Sequence, residues 1–186
     1  MTCAFPSCTP GPALLQRVEG LHLSETGMKI TRAEAKDACM LTEIAFAAKR
    51  HWGYPEKWID GWRQLLTIQP ELIASHETYV AMLEGRAAGF YVLQPDGGGG
   101  LQLLHLWILP EFMRRGIGRS LFLHAAQRAG YLGYESLEIE SDPNSAGFYE
   151  RMGARRAGSI VSHIENQPRE LPIFVYQIKD HSIASD

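Results

Sequence analysis

The chain has 186 residues, 45% of them hydrophobic and 21% charged, with a net charge of −3. This is one domain of ordinary size, with enough apolar residues for a core that needs neither metals nor disulfides. The acidic balance speaks against nucleic acid as a partner, which wants a basic face, but leaves room for a small anion held by a local patch.

The first 27 residues, with "TCAFPSCTPGPA", are rich in Pro, Ser, Thr and Gly and are expected to form a flexible arm. They lack a basic region followed by a long apolar core, so no signal peptide is expected. Nor does any apolar run approach the ~18 residues of a membrane span, so no membrane partner is expected. Cys3, Cys8 and Cys39 show no C-x-x-C spacing, which gives neither a disulfide framework nor a zinc site. Reduced thiols in a cytoplasmic protein are the expectation, with Cys39 in the core.

The domain itself is expected over residues 28–179. "MKITRA" reads as a first strand. Residues 33–50 carry Leu41, Ile44, Ala45 and Ala48 on one helical face. "HWGYP" breaks that helix, and Pro55 opens a second, to about Leu66, with Trp58 and Trp62 four apart. "TYVAMLEGRAAGFYVLQP" reads as a hairpin turning at Glu84-Gly85. Asp96 to Gly100 is a glycine loop. Leu101 to Leu109, apolar at nearly every position, predicts a central strand buried on both faces. A turn then leads into a helix to about Ala129, with Ile117, Leu121, Ala125 and Ala129 every four residues. "YESLEIES" predicts a strand, and "DPNSAGFYERMG" a short helix stopped by Gly153. "ARRAGSIVS" and "LPIFVYQI" predict a last strand pair, joined by a loop "HIENQPRE". A polar tail, 180–186, follows. The order implies an α/β fold with a mixed, mostly antiparallel central sheet flanked by helices.

The chemistry concentrates at "PEFMRRGIGRSLF", where Gly116 and Gly118 open a helix among Arg114, Arg115 and Arg119. The first N–H groups of a helix lack internal partners and, with the helix dipole, attract an anion. Arginines add charge-assisted contacts. By spacing alone, a tight turn with solvated arginines is an equal reading. A Walker loop is excluded because Arg119-Ser120 follows Gly118 where Lys-Ser/Thr is needed. A dinucleotide fingerprint is excluded because the turn lies past mid-chain and lacks its third glycine.

"LHLWILPEFMRRGIGRSLF" resembles the acyl-CoA binding segment of the GNAT superfamily of N-acyltransferases: a hydrophobic strand, a Pro, then Q/R-x-x-G-x-G/A opening a helix. "SDPNSAGFYERMGA" resembles the family's second segment, roughly N-x-x-A-x-x-F-Y-x-x-x-G-F. "HWGY" and "HLW" are similar to a set of bacterial members known only generically as acetyltransferases. The resemblance runs from Met28 to about Ile178.

It implies that acetyl-CoA is the cosubstrate, without a metal. Arg114, Arg115, Gly116, Ile117, Gly118 and Arg119 would wrap its pyrophosphate. Leu106, Trp107 and Ile108 would splay from the neighbouring strand and hydrogen-bond the pantetheine, with the Ile108 N–H holding the oxyanion. Tyr149 matches the family's general acid, which protonates the leaving thiolate; without the motif it would read as a core aromatic beside Phe148. The family's base varies in position. Glu140 is the first choice, with Glu138 two residues back and His105 as alternatives; His105 also reads as a core histidine. Leu104 fills a place where related sequences often carry Glu. Met113 replaces the usual Gln or Arg, and Ala154 the usual aromatic. Asp142 falls on the family's Asn position without a gap, and Asn144 after a two-residue shift, so both are candidates for the pantetheine contact.

The acceptor, a small-molecule or peptide amine, is expected between the early helices and the late hairpin. There "KRHWGY", Lys49 to Tyr54, reads equally as ligand-binding or as a packed helix end. His51, His76 and His163 show no metal-ligand spacing. Exposed strands at the sheet's end are where two copies would pair as a homodimer. A CoA-binding sensor without turnover is the alternative from another class; Tyr149 argues against it.

Overall fold

The computed structural model describes residues 27–178. The expected arm, apart from Gly27, and the polar tail lie outside the described residues. Strand β1 (Met28–Arg32) leads through a 3-10 turn into α1 (Ala38–Arg50), followed by α2 (Glu56–Gly61), α3 (Arg63–Leu66) and α4 (Pro70–Ser75). Then come β2 (Glu77–Leu83), β3 (Arg86–Pro95), β4 (Leu101–Ile108), α5 (Ile117–Tyr131), β5 (Ser136–Glu140), α6 (Ala146–Arg151), β6 (Arg155–Ile164) and β7 (Gln167–Gln177). The strands form one sheet in the order β1-β2-β3-β4-β5-β7-β6. Every neighbouring pair is antiparallel except β4–β5. Parallel strands need a crossover, and α5 supplies it.

Each face of the sheet carries its own core. On one, Leu121, Phe122, Ala125 and Ala129 of α5 pack on Tyr91, Leu103, Leu137, Ile139 and Phe174. The four-residue spacing of α5 exists to bury that stripe, at about 1.5–3 kcal/mol for a large side chain such as Leu121 or Phe122. On the other face, Leu41, Ile44 and Ala45 of α1 pack with Ile59, Trp62 and Leu66 on Val80, Phe90 and Val92. Cys39, expected in the core, is exposed on α1 because it lies off this stripe.

Four elements differ from the sequence reading. The helix expected from Pro55 to Leu66 is two short ones, broken at Trp62 (φ −90°, ψ 5°). Helix α4 opens on Pro70 at a point where no helix is expected. The loop expected at 163–170 is instead paired strand: β6 and β7 run on to a two-residue turn at Glu165 and Asn166. Both turn residues are left-handed (φ 49° and 60°), as a tight hairpin turn requires. Finally, β4 is not buried throughout. Leu101 and Leu103 are buried, but residues 104–109 are only half-buried. The cause is topological and prepares the site: β4 pairs with β5 at a single position, Gln102 with Glu138.

Candidate active site

Beyond Gln102 the two parallel strands separate, and a notch opens along β4. Backbone N–H groups alternate in direction along a strand. The Leu109 N–H bonds to Ala88 on the β3 side, at 2.9 Å. The N–H groups of Ile108 and Leu106 therefore face away from β3, into the notch, and that of Trp107 faces β3. A bulge where Val92 faces His105 and Leu93 faces Leu103 resets the phase of β4. Past it, Leu106 and Ile108 join the α5-side core, while Trp107 joins the α1 side. Gly89 lets the wall of the notch close up: a Cβ there would stand 2.5 Å from the Trp107 carbonyl oxygen.

The chain leaves β4 through a 3-10 turn, Pro110–Phe112. Arg114 (φ 58°) and Gly116 (φ 81°) are both left-handed, and the double reversal starts α5 directly below the notch. Gly116 is the N-cap and offers no side-chain cap. The first intrahelical bond of the turn comes from the Ser120 N–H to the Gly116 carbonyl, at 3.0 Å. The N–H groups of Ile117, Gly118 and Arg119 are thus free for an anion. Arg114, Arg115 and Arg119 are exposed, and none pairs with a carboxylate among the described residues. The Ile117 side chain is buried and anchors the turn. Gly118 faces Phe148 of α6 and Ile108 of β4, at 3.5 and 3.7 Å from where its Cβ would be. Helix start, strand end and α6 therefore meet at one place.

Tyr149 of α6 is 7% exposed, its ring among Phe122, Phe148 and Phe174 at 5.1–6.1 Å. Its hydroxyl makes no hydrogen bond among the described residues. Burial, with the negative charge of Asp142 behind it, holds the phenol well above its ordinary pKa. His105 accepts a hydrogen bond at Nδ1 from the Trp107 indole N–H, 3.1 Å away. Burial pushes its pKa down to about 4. Glu140 ends β5 and is exposed, as is Glu138; both alternate with Leu137 and Ile139, which enter the α5-side core.

Asp142 and Asn144 belong to an internal network. Asp142 caps the 3-10 turn that leads into α6. Its carboxylate accepts from Lys49 Nζ at 2.6 Å, from Tyr54 Oη at 2.9 Å and, weakly, from Arg169 Nη2 at 3.4 Å. It also accepts from the Asn144 N–H at 3.0 Å and its side-chain amide at 3.1 Å. The Asn144 amide donates to Tyr54 Oη as well, at 2.8 Å. Burial opposes the Asp142 charge, but the Lys49 charge and these hydrogen bonds outweigh it and hold the carboxyl below its usual range. Lys49 is driven the other way. Its desolvation exceeds the pull of Asp142, and Arg169 repels it, so its pKa falls. Tyr54 rises to about 12, chiefly by burial and then by Asp142.

Sequence reasoning left Lys49 and Tyr54 open between ligand binding and a packed helix end; the structure joins both to Asp142 and to Arg169, which the expected loop concealed. Lys49 carried a signal, since it lies four residues after Ala45 on the apolar stripe of α1. Arg169 carried none. The indoles of Trp58 and Trp62 face Tyr54, with centroids at 6.0 and 5.1 Å. Among the described residues, no group of three His, Cys, Asp or Glu side chains converges on a metal position, and no helix is long and apolar enough to cross a membrane.

Residues 74–153 match the family described as Acetyltransferase (GNAT) domain. No curated protein matches the chain. Among solved structures, a GCN5-related N-acetyltransferase from Rhodopseudomonas palustris superposes with a TM-score of 0.70 at 18% identity, covering 84% of this chain and 99% of that one. The PaiA N-acetyltransferase of Thermoplasma acidophilum, in complex with coenzyme A, gives 0.64 at 21% identity, over 81% and 98%. The ribosomal-protein-S18-alanine N-acetyltransferase of Escherichia coli gives 0.62 at 19%, over 86% and 99%.

Proposed function

We propose that the chain is an acetyltransferase of the GNAT superfamily, whose domain model matches residues 74–153, and that it transfers the acetyl group of acetyl-CoA directly to a primary amine, with both substrates bound at once. One observation carries this reading: the notch on β4 opens beside a helix start with free N–H groups and a tyrosine whose ring is buried and whose hydroxyl has no hydrogen-bond partner among the described residues. The N–H groups of Ile117, Gly118 and Arg119 and the three arginines without carboxylate partners among the described residues suit a pyrophosphate. The pantetheine arm would take the strand's place in the notch, bonding to the backbone of Leu106 and Ile108.

The amine nitrogen attacks the thioester carbon. A C–N bond forms while the carbonyl becomes an oxyanion, which accepts from the Ile108 N–H. Collapse breaks the C–S bond and expels the thiolate. Tyr149 gives that thiolate its proton. A raised phenol pKa keeps the proton in place at neutral pH and makes it a weaker donor, so the transfer depends on holding the thiolate directly against the hydroxyl. The proton lost by the amine goes to Glu140, directly or through water. His105 is the poorer choice, because its Nδ1 already accepts the Trp107 indole N–H and burial disfavours the imidazolium it would become.

The test measures thiol release from acetyl-CoA with polyamines, amino acids, aminoglycosides and peptides, for the protein and for Tyr149→Phe. The expected result is turnover with one amine class and a kcat about 10²–10⁴-fold lower in the variant. An unchanged kcat would remove Tyr149 from the acid role. Acetyl-CoA binding without turnover of any amine would make the protein a CoA sensor.

A further inference from the structure

The cluster around Asp142 holds more positive charge than it can use. Two cations, Lys49 and Arg169, share one carboxylate, and all three side chains are about nine-tenths buried: 9%, 11% and 10% exposed. Buried charges require compensation. Lys49 takes the close position on Asp142, at 2.6 Å. Arg169 reaches the same oxygen through Nη2 alone, at 3.4 Å, beyond a strong charge-assisted bond. Its only other hydrogen bond among the described residues, to Tyr54 Oη at 2.9 Å, also leaves from Nη2. Nε and Nη1 bind no described residue. The surplus charge therefore sits on Arg169, with half of its planar fork unused.

That fork is held in place. The guanidinium lies over Trp62 and Tyr54, at 4.6 and 5.0 Å from the ring centroids, which fixes its plane and keeps it partly dry. A second donor nearby also lacks a partner. Trp58 Nε1 is buried with no hydrogen bond among the described residues, on an indole that stacks on Tyr54 and meets Trp62 edge-on. Buried indole N–H groups are normally satisfied. Two independent donors, a charged fork and a neutral N–H, thus lie on the same aromatic wall without acceptors.

We infer that this wall is the acceptor subsite, and that the acceptor is an amine bearing a carboxylate, which Arg169 binds with its free edge. The inference rests on the acetyl-transfer reading for the amine end. The place is right for it. Asp142 opens the turn into α6, seven residues before Tyr149, and its charge is felt at the Tyr149 hydroxyl. Glu140, the proposed base, stands two residues before Asp142. An amino acid or similar zwitterion would present its amine toward Glu140 and its carboxylate toward Arg169. A surplus of one charge matches a monoanion, and a flat fork matches the flat carboxylate.

The test is calorimetry on the full chain with the products of such a reaction, the N-acetyl forms of the twenty amino acids, each beside its N-acetyl amide. At least one N-acetyl amino acid should bind, its amide about 100-fold more weakly, and the Trp58 indole N–H resonance should shift on binding. Arg169→Gln should lose about 100-fold, and Arg169→Lys, which keeps the charge but not the fork, less. Thermal unfolding of both variants checks their folding. The inference falls if no N-acetyl amino acid binds, if acids and amides bind alike, or if Arg169→Gln binds as tightly as the wild type. A parallel titration with acetyl-CoA separates the two ideas. Failure there removes the transfer reading, whereas carboxylate binding stands or falls on its own measurements.

Discussion

Replacing Asp142 by Asn tests whether one carboxylate holds the acceptor side of the fold together. The substitution keeps the shape and removes the charge. It leaves Lys49 and Arg169, 9% and 11% exposed, facing each other without their shared anion. Removing one partner of a buried ion pair costs about 3–5 kcal/mol, because the other charge stays buried and uncompensated. For a chain of this size each kcal/mol moves Tm by about 2–4 °C, so a fall of about 6–20 °C is expected by scanning calorimetry. Two controls tie the loss to charge. In Lys49→Met/Asp142→Asn the lysine is gone as well, and at least half of the loss should return.

The second control is pH. Burial already lowers the Lys49 pKa in the native protein, and loss of Asp142 lowers it further. The unfolded chain then binds the lysine proton more strongly than the folded one. Stability must therefore rise with pH between the depressed folded pKa and the ordinary value near 10.4. The deficit of Asp142→Asn should shrink from pH 7 to pH 10. A Tm loss below about 2 °C at pH 7, or a deficit that ignores pH, would refute the reasoning.

Gly89→Ala places a Cβ 2.5 Å from the Trp107 carbonyl oxygen, a backbone atom that cannot rotate away. A loss of about 1–3 kcal/mol in urea unfolding is expected, with weaker acetyl-CoA binding because the wall of the notch must shift; unchanged stability would count against the close approach. His105 titrates at about 4 in the fold against 6.5 in the unfolded chain. Its depressed value means that stability is lost as pH falls from 6.5 to 4, by up to about 3 kcal/mol, and His105→Gln should flatten that slope. An equal acid slope in wild type and variant would show that other groups govern it.

The fold was legible wherever a local signal decided it. The Glu84-Gly85 turn and the four-residue spacing of α5 need nothing beyond nearby residues, and both stand where expected. The β4 strand shows what composition cannot carry. Its apolar run promised burial on both faces, yet the run says nothing about whether the next strand stays alongside. The departure of β5 after Gln102 leaves half of β4 without a neighbour on that side, without altering a single residue of the pattern. The 163–170 segment fails in the opposite sense. Most residues of this hairpin are exposed, so its strands are nearly as polar as a loop, and Arg169, whose side chain turns inward as Ile164 does, was hidden with them.

The acceptor wall is the extreme case. Lys49, Asp142 and Arg169 are separated by 93 and 27 positions, and each alone is an ordinary charged residue. Only one of them broke a local rule: a lysine in step with the apolar face of α1 has to find an anion somewhere. Many carboxylates in the chain could have met that need. Which one does is decided by α1 packing over the end of β4, where the β5–α6 turn passes. The same packing that satisfies Lys49 leaves Arg169 with an unused edge. A substrate preference can therefore arise here from a charge imbalance between remote segments, which no motif within any one of them records.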